Sequence, residues 1–338
     1  MFQVSGSYST SEGPMVNLAY GEQNFLGTGK SLQLSLHAGR SLIGPGYAIR
    51  ESGKIDKIKR KQQFEILKSA NLSISDSHLF GRDLTGGISL FKYTSTPFDN
   101  FVLKNYGASI DLSYALGDRV TQSWELGIAR RTVDHIDEMC SPLVKAQLVK
   151  YDKDKKEFKM SEQRNGLQTS LQTSFNYLYP IYDGPLKGQM RFKWSTALLH
   201  DGGFNSTFWK NIFSASYNKM LSRNVGLTLQ SSYGILTPLK NNDINIIDSF
   251  ASSGESIRGF DEGSCCPHFV ITRRNKTNSN IEDKNKPISY VDATGAKKFI
   301  NGTVSVSFPI GLPTELNFKT FIFTDFGYYW DPIVPQNY

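Results

Sequence analysis

Apolar and polar residues alternate one by one along much of this chain, which is the pattern of a β-strand with two unlike faces. The clearest example is residues 165–178, where one face carries apolar and aromatic side chains and the other carries Gln, Ser and Asn. The first face holds Leu167, Thr169, Leu171, Thr173, Phe175 and Tyr177, and the second holds Gln168, Ser170, Gln172, Ser174 and Asn176. Alternation over about ten residues matches the roughly 9–11 residues that a tilted strand needs to cross a bilayer. The segment therefore predicts a membrane-spanning strand.

The next segment, residues 185–199, repeats the pattern with charged residues on its polar face. Leu186, Met190, Phe192 and Trp194 alternate there with Lys187, Gln189, Arg191 and Lys193. Large apolar groups on one face and cations on the other suit a barrel wall that separates lipid from a wet lumen. A solvent-facing sheet of a globular sandwich is the alternative.

Thirteen segments of the chain read as strands, and helical periodicity is nowhere sustained over three turns. The predicted strands are roughly 2–9, 14–22, 30–40, 63–75, 83–94, 104–116, 119–131, 165–178, 185–199, 209–222, 224–236, 297–309 and 316–329. Tight turns alternate with long connections, as in outer-membrane barrels. Aromatic residues near strand ends resemble the interfacial girdles of such barrels: Tyr93, Tyr177, Tyr179, Tyr329 and Trp330. We therefore predict an all-β fold, a transmembrane antiparallel β-barrel that forms a single domain over residues 1–338, with a long extracellular loop at about 237–296.

Composition narrows the classes of function. The 338 residues are 39% hydrophobic, 20% charged and 12% aromatic, with a net charge of +7. No run approaches the roughly 18 apolar residues of a membrane-spanning helix, and the many aromatics argue against a disordered chain. Lys and Arg are scattered without a nucleic-acid-binding motif, so no nucleic-acid partner is predicted. His135, His200 and His268 lack metal-ligand spacing, and no Ser/His/Asp set or phosphate-binding glycine loop is present, so we predict neither an enzyme nor a cofactor or metal.

One motif in the longest loop points to a family. Residues 253–260 read Ser-Gly-Glu-Ser-Ile-Arg-Gly-Phe, between the eleventh and twelfth predicted strands. Ile257-Arg258-Gly259-Phe260 resembles the (Val/Ile)-Arg-Gly-(Phe/Tyr) motif in the sixth extracellular loop of the bacterial surface antigen superfamily, the family of BamA-type outer-membrane assembly factors. Three further stretches agree in order: residues 24–29 (NFLGTG) before the third strand, 308–309 (FP) at the end of the twelfth, and 323–327 (FTDFG) on the thirteenth. The resemblance covers nearly the whole chain and implies a sixteen-strand barrel of which about thirteen strands are present.

The resemblance also implies roles for the motif residues. The loop of this family folds back into the lumen, so Arg258 is expected to meet an acid on strand thirteen, here Asp325. A guanidinium–carboxylate pair in a confined lumen can be bidentate and orienting, although Arg258 could also simply staple the loop. Gly259 is expected to permit a tight turn, and Phe260 to pack against the wall. Many members carry a second acid on strand twelve, where this chain offers Ser307, which weakens the case for a three-residue charge cluster.

The function that the resemblance implies is the folding and insertion of other outer-membrane proteins, without covalent chemistry. Members open a weak seam between their first and last strands, and the exposed edge of the first strand templates an incoming strand by β-augmentation. Here the templating residues are expected to be Phe2, Val4, Gly6 and Tyr8. The implied partners are unfolded outer-membrane proteins, accessory assembly lipoproteins and the lipid bilayer. The implied location is the bacterial outer membrane.

Other functions fit a similar barrel: a two-partner-secretion transporter, a passive outer-membrane pore, or the mitochondrial sorting and assembly core subunit. A soluble β-sandwich with a sugar-binding or enzymatic function is a more distant alternative. The chain begins at Met1 without a signal sequence, lacks periplasmic POTRA domains and ends at Tyr338 soon after the thirteenth strand. Thirteen strands would leave unpaired edges in lipid, so we expect a fragment or one half of a split gene, inactive alone.

The loop also carries two adjacent cysteines, Cys265 and Cys266. Adjacent cysteines rarely bond to each other, because the resulting ring is strained. Thiol reactivity or pairing with Cys140 is one interpretation, and incidental loop cysteines are the preferred one.

Overall fold

The protein is described by a computed structural model over residues 1–9, 13–39, 46–50, 55–58, 67–95, 101–136, 142–152, 157–183, 186–239, 244–251, 256–260, 263–273, 288–309 and 320–333. Thirteen antiparallel strands within these ranges form one sheet in chain order. They are β1 (Phe2–Ser9), β2 (Gly13–Glu22), β3 (Ser31–Gly39), β4 (Leu67–Asp76), β5 (Leu84–Ser95), β6 (Phe101–Gly117), β7 (Val120–Ile136), β8 (Asn165–Asp183), β9 (Leu186–Asp201), β10 (Ser206–Met220), β11 (Gly226–Pro238), β12 (Ala296–Phe308) and β13 (Thr320–Pro332).

The architecture confirms the predicted all-β class and all thirteen predicted strands. Each strand pairs with its neighbour along the chain, and the sheet begins at β1 and ends at β13. In the described ranges, no helix has the length and apolar character needed to cross a membrane. The thirteen strands of the sheet lie where the alternation pattern predicted them.

Smaller elements lie in the long connections at one end of the sheet. Between β7 and β8, helix α1 (Pro142–Leu148) precedes a hairpin of Val149–Asp152 with Glu157–Gln163. Two other long connections share a four-stranded sheet, which joins segments after β3 to segments after β11. Its strands are Gly46–Arg50, Ile55–Ile58, His268–Arg273 and Ile288–Ala293. We call this side of the barrel the loop end.

Register keeps the two faces of the sheet continuous from strand to strand. On β8, Gln172 lies opposite Glu125 of β7 and Ala197 of β9, whereas the neighbouring Leu171 lies opposite Leu126 and Leu198. Polar positions therefore meet polar or small ones, and apolar positions meet apolar ones. The loop after β11 packs against the polar face, so we call this face lumenal and the other face lipid-facing.

Aromatic rings form a row along the lipid-facing side at mid-strand. Trp194 of β9 stacks on Phe175 of β8 and Phe213 of β10, with ring centroids 5.5 and 6.0 Å apart. Phe213 in turn stacks on Tyr233 of β11 at 6.3 Å. Direct cross-strand aromatic pairs of this kind stabilise sheets by roughly 0.2–1 kcal/mol each. The row ties four consecutive strands together where lipid rather than protein covers them.

The buried hydrophobic core lies at the loop end, where the long connections fold over the sheet. Its buried members come from the wall and from the described parts of the long connections. They are Phe101, Leu103, Val133, Ile136, Val144, Leu148, Val149, Phe204, Phe208, Leu236, Ile244, Ile246, Phe250, Ile257, Cys266, Ala293, Ala296, Phe299, Tyr329 and Ile333. This cluster holds the loop after β11 against the lumenal wall.

The alternation makes a direct prediction about stability. Leu171 is 45% exposed on the lipid-facing side near the middle of β8. Leu171→Arg would place a charge in the bilayer and should destabilise the folded barrel by about 2–4 kcal/mol. Gln172→Arg, one residue along, should change stability little, because its side chain lies in the lumen opposite Glu125. Urea unfolding in lipid vesicles compares the two variants, and equal destabilisation by both would contradict the face assignment.

Candidate functional site at the loop end of the lumen

The structure places Arg258 directly against Asp325. The guanidinium donates through Nε to Oδ2 at 2.8 Å and through Nη2 to Oδ1 at 2.7 Å, which is a bidentate pair. The backbone amide of Arg258 also donates to Oδ2, at 3.0 Å. The Asp325 side chain is 5% exposed and that of Arg258 is 35% exposed. The carboxylate therefore fixes both the side chain and the backbone of the loop.

The surrounding wall completes the binding site for Arg258. Thr303 lies opposite Asp325 in the register of β12 and β13, and its hydroxyl donates to Oδ1 at 2.7 Å. Four hydrogen bonds thus converge on one carboxylate. The guanidinium carbon of Arg258 also lies 3.3 Å from the ring centroid of Phe323, two residues before Asp325 on the same strand face. A planar cation stacked on an aromatic ring gains further attraction, which lysine would match less well.

Two other residues explain why the motif fits the wall. Gly259 has a φ of +89°, in the left-handed region that glycine adopts without strain. Ile257 is 4% exposed, and its side chain lies where a Cβ on Gly327 of β13 would stand. The glycine at position 327 therefore leaves the space that Ile257 fills. The short motif is held by a charge pair, a buried aliphatic side chain and a glycine turn.

Two details differ from the sequence-based expectations. Phe260 is 55% exposed, so its expected packing against the wall is wrong, and the ring that contacts Arg258 belongs to Phe323. The turn at Gly259 brings the Phe260 amide back toward the Ile257 carbonyl oxygen, 3.4 Å away, and leaves the ring uncovered. On strand twelve, the polar partner of Asp325 is Thr303. Ser307 lies opposite Phe321 and donates instead to the Gly226 carbonyl oxygen at 3.4 Å.

A second charge cluster, which sequence reasoning missed, lies on the lumenal side of β7 and β9. Arg131 donates through Nη1 to Asp248 Oδ1 at 2.6 Å and to Asp201 Oδ2 at 3.2 Å. Its Nη2 donates to the Ile247 carbonyl oxygen at 3.3 Å. The side chains are almost fully enclosed, with 5% exposure for Arg131, 0% for Asp201 and 5% for Asp248. We call Arg131, Asp201 and Asp248 the β7 anchor.

The members of the β7 anchor come from distant parts of the chain. Asp201 ends β9 and also accepts from the amides of Gly203 and Phe204 in the turn to β10. Asp248 belongs to a single 3-10 turn, Ile246–Asp248, in the loop after β11. Burial raises the pKa of Asp248, while the adjacent Arg131 opposes that rise. In the sequence, Arg131 stands beside Arg130 at the end of a predicted strand, and no local pattern indicates its partners.

The edge of β1 is the third feature. Gly21 donates to the Met1 carbonyl oxygen at 2.8 Å, and the Met1 amine donates back to Gly21, so these two residues form a hydrogen-bonded pair. Such pairs alternate with non-hydrogen-bonded ones along an antiparallel ladder. The unbroken register from Phe2↔Tyr20 to Ser9↔Gly13 therefore directs the backbone N–H and C=O groups of the even-numbered residues away from β2. These residues are Phe2, Val4, Gly6 and Tyr8.

The cysteines of the loop do not form part of these sites. Cys266 is buried, with its Sγ 3.7 Å from the Phe250 carbonyl oxygen, and Cys265 is half-buried beside the same core. The pairing considered for Cys140 concerns a residue outside the described ranges. Cys266 therefore acts in this structure as a small apolar residue of the loop core.

The fit of Ile257 against β13 can be tested with a matched pair of variants. Gly327→Val should push the motif away from the wall, because the new side chain occupies the space of Ile257. Combining Gly327→Val with Ile257→Ala should restore docking by removing the obstructing side chain. Limited proteolysis of the loop in membranes measures docking, and equal protection of the single variant and the parent would contradict this packing.

Comparison with known proteins places this geometry in a family. A family model described as the Omp85 superfamily domain matches residues 24–337. The structure of BamA from Haemophilus ducreyi lacking POTRA domains 1–3 is similar, with a TM-score of 0.68 at 16% identity, covering 97% of this chain and 58% of that one. CdiB from Acinetobacter baumannii has a TM-score of 0.50 at 11% identity, covering 99% of this chain and 49% of that one. Among curated proteins, none matches.

These similarities concern the fold and the family of the chain. The chain spans 58% and 49% of the lengths of the two solved structures, and at such identities the likeness shows the fold alone. Members of the family are assembly factors or transporters, and the barrel fold implies an outer-membrane location. The resemblance inferred from the Ile-Arg-Gly-Phe motif is confirmed by a family match over most of the sequence. The chain belongs to the Omp85 superfamily and carries a barrel of the BamA type.

Proposed function

We propose that this chain is the barrel domain of an assembly factor that folds and inserts β-barrel proteins into the bacterial outer membrane. The observation that carries the proposal is the free edge of β1. Its outward backbone groups, at Phe2, Val4, Gly6 and Tyr8, have no partner strand within the described residues. An extended polypeptide can satisfy these groups by adding a strand, whatever its side chains.

The geometry of β1 suits temporary pairing. At eight residues it is the shortest of the thirteen strands, whereas β8 has nineteen. Phe2, Val4 and Tyr8 are each more than half exposed on the lipid-facing side, so an added strand would continue the apolar surface. Backbone pairing supplies affinity without reading sequence, which suits a machine with many clients. A short edge also limits how strongly each client is held, which favours release.

The docked loop supports this role from inside the barrel. Arg258 and its neighbours attach the loop to β12 and β13, the last two strands of the sheet. This attachment fixes the wall at the opposite end of the sheet from β1. We propose that it gives the barrel a rigid side, so that movement during client insertion is confined to the β1 edge. In this interpretation, holding the loop and supporting function are the same role for Arg258.

The partners follow from this mechanism. Unfolded outer-membrane proteins are the proposed clients, the lipid bilayer receives them, and accessory assembly lipoproteins are proposed to assist. Residues 1–338 act as a single barrel domain in this proposal, with the loop of about 237–296 on the extracellular side. The reaction forms and breaks hydrogen bonds but no covalent bond.

Reconstitution in liposomes tests the proposal. The protein is expected to accelerate the appearance of heat-modifiable, protease-resistant client barrels relative to empty liposomes. The companion measurement is cysteine cross-linking between β1 and a strand of a stalled client, which detects strand addition directly. Ion conductance without client capture would indicate a passive pore. Capture of a single dedicated secreted protein would indicate a transporter, and either result would contradict an assembly role.

A further inference from the structure

We propose that the β7 anchor is a positioning device for the loop, which holds the Ile-Arg-Gly-Phe segment in place for Asp325 from a different part of the lumenal wall. Arg131, Asp201 and Asp248 make no contact with Arg258, so they would act through the loop that lies between them. The importance of this role for assembly rests on the proposed function, whereas the positioning itself can be measured without any client.

The two charge sites attach the same loop to different strands of the sheet. Asp248 is held at β7 and β9 through Arg131 and Asp201. Arg258, ten positions further along, is held at β12 and β13 through Asp325 and Thr303. Ten residues span at most about 33–36 Å when extended and far less in a folded loop. Fixing Asp248 therefore restricts where Arg258 can reach.

Packed groups connect the two sites along the lumenal wall. The backbone of Phe250 pairs with that of Ala296 at the start of β12 through hydrogen bonds of 2.9 and 3.0 Å. Its ring meets Phe299 edge-on at 4.6 Å, and Phe299 stacks on Tyr329 of β13 at 5.6 Å. Ile257 then packs against the same strand at Gly327. The loop thus contacts the wall on both sides of residues 252–255.

The charges of the β7 anchor are arranged so that the loop can leave without destroying the barrel. Burial of a charge is costly unless it is paired, and Arg131 has one carboxylate partner in the wall and one in the loop. When the loop departs, Asp248 becomes hydrated and Arg131 keeps Asp201. Lumenal Lys210 also lies close by, with its Nζ 5.3 Å from the centre of the Phe250 ring. The site therefore stabilises the docked loop and still permits undocking.

Cross-linking of the loop to β13 measures this positioning. Ile257→Cys and Gly327→Cys form the reporter pair, because the two positions are in contact and the shorter side chain at 257 makes room for the new thiol. Cys140, Cys265 and Cys266 are first replaced by serine. The protein is then oxidised mildly in membranes, and the rate of disulfide formation reports how often the motif lies against β13.

Three variants, one in the loop and two in the wall, test the anchor. Asp248→Asn alters the loop and leaves the Arg131–Asp201 pair in the wall, and it should lower the cross-linking rate roughly fivefold because a charge-assisted bond is lost. Arg131→Met removes the cation shared by both carboxylates and should lower the rate further. Arg131→Lys, which retains the charge, should keep more of the parent rate than Arg131→Met. Partial rescue of this kind is specific to charge pairing.

The matched control is a second ion pair on the same region of the wall. Lys104 of β6 donates to Asp134 of β7 at 2.6 Å, with both side chains partly exposed. Lys104→Met should leave the cross-linking rate unchanged, because the β6–β7 register places Lys104 and Asp134 on the lipid-facing side of the sheet, opposite to Arg131. Heat-modifiable mobility verifies that each variant is folded.

The results decide the proposal whether or not Arg131→Met folds. A parent-like rate in folded Asp248→Asn overturns it, and so does an equal loss in Lys104→Met. A loss confined to the anchor variants supports it. The reporter needs no client, so a barrel that fails to insert clients can still support positioning, and failed positioning leaves the β1 proposal intact.

Discussion

Arg258→Ala is expected to reduce client insertion by at least about tenfold while the barrel stays folded. The substitution removes a bidentate charge pair and the contact with the Phe323 ring, and it leaves the nearly enclosed Asp325 without its cation. Two of the four hydrogen bonds to the Asp325 carboxylate come from the Arg258 guanidinium, and both are lost. The loop should therefore be docked for a smaller fraction of the time.

Client insertion in liposomes and heat-modifiable mobility together measure this effect. Arg258→Lys is the informative control, since it keeps the charge but loses the bidentate geometry and most of the stacking on Phe323. It should fall between the parent and Arg258→Ala. Asp325→Asn should resemble Arg258→Ala, because an amide accepts through a single oxygen. A folded Arg258→Ala variant with parent-like insertion would show that the pair only staples the loop.

The strands could be predicted from the sequence because alternation is a local property of each segment. Leu171 and Gln172 show it: their side chains point to opposite faces whatever the partner strand, and the pairing with β7 and β9 then follows chain order. The pairing of Arg258 with Asp325 came from a family motif and not from periodicity, since 67 residues separate them.

The failures have physical causes as well. The residue of β12 that lies opposite Asp325 depends on register, which tertiary pairing sets, and so the sequence alone did not identify Thr303. Phe260 is exposed because the positive φ of Gly259 reverses the chain before it. The β7 anchor joins Arg131 to an acid 117 residues away in an irregular loop, which no local pattern could indicate.

Val4→Pro is expected to lower client cross-linking and insertion about tenfold or more. Proline removes the backbone N–H of Val4, which points away from β2, so the β1–β2 ladder keeps its own hydrogen bonds. An incoming strand would lose one ladder bond and meet the pyrrolidine ring at the edge, which is how natural proteins block unwanted strand addition. The proline side chain retains apolar surface on the lipid-facing side. The loss should therefore come from the edge and not from general misfolding.

Two controls separate edge chemistry from side-chain chemistry. Val4→Thr keeps the N–H and the β-branched shape, and should insert clients at nearly the parent rate. Ser5→Pro removes an N–H that points toward β2, so it should weaken the β1–β2 pairing and reduce heat stability, which Val4→Pro should not do. If Val4→Pro captures clients as well as the parent, templating by β1 is wrong even though the fold and the loop anchors stand. If both proline variants fail while Val4→Thr works, and Val4→Pro alone stays heat-stable, the free N–H of Val4 is the group that clients use.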